Sequence, residues 1–80
     1  MKNEIIPCDH LAELMDKHKL KSIALSSMLM ITNESFLLKL SGCEEWLFKE
    51  MLLLANLFGL SEVKDLFPEI YNHVLNSGFL

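Results

Sequence analysis

The stretch Glu45–Phe58 reads EWLFKEMLLLANLF, and it constrains the fold of this chain more than any other feature. Wound at 3.6 residues per turn, it puts Trp46, Met51, Leu54, Ala55 and Phe58 on one face. Phe48 and Leu52 flank that face, while Leu47, Leu53 and Leu57 fall largely elsewhere. A helix that is apolar nearly all round has to be covered on all sides. A chain of 80 residues, 51% of them apolar and with a mean hydropathy of +0.29, has little with which to cover it. At this length folding buries only about 60–65% of the unfolded surface. Most of the segment is therefore expected to serve as the central core helix. The remainder, Leu47, Leu53 and Leu57 with Tyr71 and Leu75 of the last helix, is expected to form a dimer or partner surface.

Composition narrows the class. Leu, Ile, Val, Phe and Met are abundant and the net charge is only −4, which excludes a disordered chain. The longest apolar runs, Met28–Ile31 and Met51–Ala55, fall far short of the ~20 residues of a membrane-spanning helix. Lys2, Glu4, Pro7 and Asp9 stand where a secretory signal would be apolar, so the expected setting is cytoplasmic, with no membrane partner. Cys8 and Cys43 are expected as free thiols. Cys8-Asp9-His10, His18 and His73 lack paired ligand spacing, so no metal and no cofactor are expected. With no glycine-rich phosphate loop, no nucleophile elbow and no paired carboxylates, the chain does not read as an enzyme, and no small-molecule substrate is expected.

Periodicity and end signals predict an all-α chain, a compact bundle of five to six helices in a single domain, 1–80. Helix 1 is expected over about 9–19 with Asp9 as N-cap. Ser22 starts helix 2, with Leu25, Met28 and Leu29 facing inward and Ser26 as the small residue between them. Thr32 caps helix 3, which carries Phe36, Leu37 and Leu40 and stops at Ser41-Gly42. Helix 4 spans about 44–58 and ends at Gly59. Ser61 opens a short fifth helix, and Pro68 starts the last at its first position. Helices 2 and 3 lie only about three residues apart, the spacing of a helix-turn-helix over about 22–41, with 61–80 as a helical extension. A small residue on the first of the pair, an apolar plug in the turn and a large apolar anchor on the second are met by Ser26, Ile31 and Phe36.

Over these residues the chain resembles the phage-repressor/Cro-like (xenobiotic-response-element type) helix-turn-helix family. Lys21–Gly42 reads KSIALSSMLMITNESFLLKLSG. Leu20 stands at the motif's usual start, and Leu25-Ser26 replaces a Leu-Ala pair. Met30-Ile31-Thr32 stands at the Gly-Ile-Ser turn, Ser35-Phe36-Leu37-Leu38 at Thr-Leu-Ser-Arg, and Ser41-Gly42 closes the motif. The similarity runs in register through Trp46, Ala55 and Phe58-Gly59-Leu60-Ser61 to Leu66-Phe67. It implies a lambda-repressor-like fold in which the outward positions of helix 3 (Asn33, Glu34, Leu37 and Leu38) meet the partner.

The departures from that pattern set the functional expectation. Met30 replaces the turn glycine, a position where positive φ costs a residue with a Cβ about 1 kcal/mol or more, which leaves two outcomes open, a reshaped turn or a strained one. Of the readout positions only Asn33 is a natural base reader. Glu34 has the wrong charge for phosphate, and all seven cations of the chain are lysines, so the Arg–guanine contact is lost. Two readings follow. In the first, a small phage-type or mobile-element regulator acts by protein–protein contact through Asn33, Glu34, Leu37, Leu38 and Ser41. Its partner is a repressor or another nucleic-acid-binding protein, and the chain serves as antirepressor, modulator or inhibitor. In the second, a homodimeric Cro-like repressor binds DNA through Lys19, Lys21, Ser22, Thr32, Asn33, Ser35 and Lys39. Residues 17–42 carry four lysines against Glu34, a net of +3 in an acidic chain, which suits phosphate contact. The residues at the readout positions favour the first.

Overall fold

The first four helices of the chain end in the same way, and those ends aim the connections at the core. In the computed structural model, which describes residues 6–76 with side chains through His73, six helices follow one another. They are α1 (Asp9–Lys17), α2 (Ser22–Leu29), α3 (Asn33–Ser41), α4 (Phe48–Leu57), α5 (Val63–Leu66) and α6 (Pro68–Asn76). No strand occurs among the described residues. The first four helices each end on a left-handed residue: Lys19, Met30, Gly42 and Gly59. In every case the next N–H reaches back five residues, from Leu20 to Met15, Ile31 to Ser26, Cys43 to Leu38 and Leu60 to Ala55. This Schellman arrangement satisfies carbonyls that the helix end leaves open. It also turns Leu20, Ile31 and Leu60 back onto the core.

Met30 thus keeps the conformation that a turn glycine would supply (φ +61°), and of the two outcomes it is the strained turn that occurs. Its side chain is 91% exposed, so no other element crowds it and the cost is the local contact of its Cβ with the following carbonyl oxygen. Across Met30-Ile31-Thr32 the axes of α2 and α3 turn by 105°. Thr32 caps α3 as expected, its hydroxyl accepting from the Ser35 N–H at 3.0 Å. Other ends shift. Cys8 rather than Asp9 precedes α1, Lys21 precedes α2, Glu62 precedes α5, and α4 begins at Phe48 rather than near 44. The start of α1 has no cap of its own. Glu69 of α6 provides one from afar, Oε2 accepting from the His10 N–H at 2.8 Å at the positive end of the helix.

The core joins Cys8, Leu11 and Met15 of the first segment to Leu25 and Leu29, Phe36, Leu54 and Ala55, and Leu66-Phe67. Direct packing of α2 on α3, α1 on α3 and α6, and α5 on α4 and α6 closes the bundle, with a Cα radius of gyration of 12.5 Å. Each fully buried large side chain contributes roughly 1.5–3 kcal/mol. Met28 departs from its expected inward position and is half exposed, because the 100° step already gives the core-facing angle to Leu25 and Leu29. The segment before α1 lies on the end of α3: Cys8 N–H donates to the Leu40 carbonyl at 2.9 Å, and a Cβ on Gly42 would fall 2.7 Å from the Ile6 backbone. No single helix is long and apolar enough to cross a membrane.

Candidate interaction surface

The outward residues of α3 follow from helical spacing. Asn33, Leu37 and Ser41 stand at intervals of four, with Glu34 and Leu38 beside them, while Phe36 and Leu40 turn inward. Leu37 and Leu38 are 46% and 41% exposed. Ser41 turns its hydroxyl back to the Leu38 carbonyl at 3.0 Å, closing the last turn. The face is thus two leucines framed by Glu34 and a self-satisfied serine.

The polar groups that a nucleic-acid reader would use lie differently. Lys39 occupies the inner side of α3, three residues after Phe36, and is 6% exposed. Its Nζ donates to both carboxylate oxygens of Glu50, at 2.6 and 2.7 Å, and sits 5.9 Å above the Trp46 ring. Glu50, 3% exposed, also accepts from the Leu47 N–H at 2.9 Å, so one carboxylate anchors α3 and starts α4. Asn33 has its Oδ1 closed to solvent and without a hydrogen-bond partner. Ser35 donates to Glu44 at 3.1 Å, which brings an acid to the start of α3. The Thr32 hydroxyl is engaged in its cap. Lys19 and Lys21 are exposed around the start of α2, and Ser22 is half-buried. Of the lysines and side-chain amides expected at DNA, Lys39 is therefore in the interior and Asn33 lacks an open acceptor.

Trp46 organises the interior behind this face. Its ring meets Phe36 edge-on at 5.6 Å and Phe67 at 5.3 Å, and its indole N–H donates to the Cys8 sulfur at 3.3 Å. Burial pushes the Cys8 thiol above its ordinary value, with the Trp46 hydrogen bond acting against that shift and the Glu69 and Asp9 charges adding to it. Cys43 is a free thiol at the surface. Among the described residues no three His, Cys, Asp or Glu side chains gather as a metal site would require.

The outer side of α4 is the second apolar surface. Leu47, Phe48, Leu52, Leu53 and Leu57 are 39–65% exposed, whereas Glu50, Leu54 and Ala55 are buried. Leu47, Leu53 and Leu57 were expected there. Phe48 and Leu52 were placed beside the core face, yet they share the outer side, because the inward direction runs through Glu50 and Leu54. Tyr71, on α6, is also exposed, with the Lys64 ammonium 5.7 Å above its ring. The Leu75 side chain lies outside the described ones. The Lys39–Glu50 pair was missed by the sequence reading, although its signal was present: Lys39 follows Phe36 by three and Glu50 precedes Leu54 by four, so both sit on core faces. The chain matches no family model, no curated protein and no solved structure.

Proposed function

We propose that this chain is a small regulator built on a helix-turn-helix scaffold, and that it works by protein–protein contact through the outer face of α3. The observation that carries the reading is that Leu37 and Leu38 face solvent while Lys39 and the Asn33 acceptor do not. Two adjacent leucines on a short helix are good anchors for a hydrophobic groove. They supply no hydrogen bonds to base edges, and at best touch a thymine methyl. In support of the scaffold, α2 and α3 meet at 105° across three residues, within the ~90–120° of helix-turn-helix units. The partner suited to such a scaffold is a repressor or another nucleic-acid-binding protein.

The alternative, a homodimeric DNA-binding repressor, draws on the exposed Lys19 and Lys21 near the start of α2. Two cations per subunit, four in the dimer, give a salt slope of only about −4, below that of the 6–10 phosphate contacts that sustain tight binding. Affinity capture of the tagged chain from its native cell separates the readings. Leu37→Asp or Leu38→Asp abolishes the recovered complex, and Lys19→Ala with Lys21→Ala leaves it unchanged. Retention of a specific duplex by the purified protein, unaffected by Leu37→Asp, would overturn the proposal.

A further inference from the structure

The outer side of α4 has a property that an unpartnered apolar face does not need. Its exposed residues form two ridges with a spacing of four, Phe48–Leu52–Asn56 and Lys49–Leu53–Leu57. Reversed end for end about a point between Leu52 and Leu53, either ridge becomes the chemical likeness of the other. Phe48 then falls opposite Leu57, Lys49 opposite Asn56, and Leu52 opposite Leu53. A two-fold interface requires this self-complementarity, because residue i of one copy meets residue j of the other and j meets i. We propose that α4 pairs antiparallel with α4 of a second copy, with the axis between Leu52 and Leu53. The apolar pairs interdigitate, and each Lys49 ammonium donates to the side-chain oxygen of the opposing Asn56.

Area agrees with a second copy as the occupant. At 39–65% exposure, the four apolar side chains of these ridges leave roughly 300–500 Å² open per copy, taking about 150–250 Å² for a whole large side chain. Two copies that cover this area and their polar neighbours bury up to about 1,000 Å² in all, the lower limit for a specific interface. An interface of that size belongs to the weak, reversible class. The surface is separate from the α3 face, so the dimer stands or falls independently of the protein-contact reading above.

Sedimentation equilibrium on the whole chain, with circular dichroism as the control for folding, tests the proposal through register and not only through apolarity. Wild type is expected to show a monomer–dimer equilibrium. Leu53→Lys, half exposed in the monomer, remains helical and becomes monomeric. Asn56→Lys sets lysine against lysine twice per dimer and weakens association about tenfold, and adding Lys49→Glu restores it. A wild type that stays monomeric at high concentration overturns the proposal. So does a dimer indifferent to Asn56→Lys, or a face occupied in 1:1 complex only by a different protein.

Discussion

Replacing Lys39 by methionine keeps the length and volume of the side chain and removes its charge, leaving the Glu50 carboxylate 3% exposed with only the Leu47 N–H as a remaining partner. Breaking a buried ion pair from one side costs about 3–5 kcal/mol, because the surviving charge has lost both water and its counterion. A domain of this size has roughly 4–12 kcal/mol in total, so Lys39→Met should remove a quarter or more of its stability. With a urea slope of about 1.5 kcal/mol per molar, within the ~1–3 of small proteins, the midpoint falls by roughly 2–3 M, read by helical ellipticity. Adding Glu50→Leu should recover most of that loss, since no desolvated charge remains, and leave about 0.5–2 kcal/mol for the Leu47 N–H that Glu50 no longer caps. If Lys39→Met costs less than about 1 kcal/mol, the value of a solvent-exposed pair, the ammonium is not where this account puts it. Lys39 then returns to the surface of α3 as a candidate DNA contact.

Three further outcomes follow from backbone and burial. Met30→Gly should stabilise the chain by about 0.5–1 kcal/mol in chemical denaturation, since it relieves a left-handed residue whose exposed side chain packs on nothing. Gly42→Ala should cost clearly more than Gly59→Ala, about 2 kcal/mol or more against about 1, because both have positive φ but only Gly42 meets backbone, that of Ile6. Thiol titration of the native protein should find Cys43 reacting fast and Cys8 slowly. Because the folded state holds the Cys8 proton above the thiol's ordinary value of 9.0, the unfolded chain loses that proton first as pH rises. Stability from this group is full below about pH 9 and declines above it, a decline that Cys8→Ala should reduce in alkaline denaturation curves.

The all-helical fold was legible because its signals are local. Helical spacing placed Leu25, Leu29, Leu54 and Ala55 on core faces and Phe36 as the anchor of the third helix, and Thr32, Gly42, Gly59 and Pro68 marked ends where they were expected. The sequence left the effect of Met30 on the turn open, and the balance is tertiary: the helix-ending bonds from Met30 and Ile31, with Ile31 turned to the core, outweigh about 1 kcal/mol of strain. The α1 cap by Glu69 was illegible, because donor and acceptor lie 59 residues apart and no local motif encodes them. Lys39 was misplaced for a different reason. A lysine on a short helix reads as solvated, and only its pairing with Glu50 across two helices lets it turn inward. Leu37 and Leu38 were read as outward, and they are.

The claim that α3 presents an apolar contact face and not a base-reading one is tested most directly by selection of the purified protein against a random pool of duplex DNA at moderate salt. The account predicts no enriched sequence and weak retention that fades with salt at the slope of about two lysines per subunit. An enriched motif bound tightly near ~0.15 M salt, where specific complexes hold at about 10⁻⁸ M or better, would contradict it.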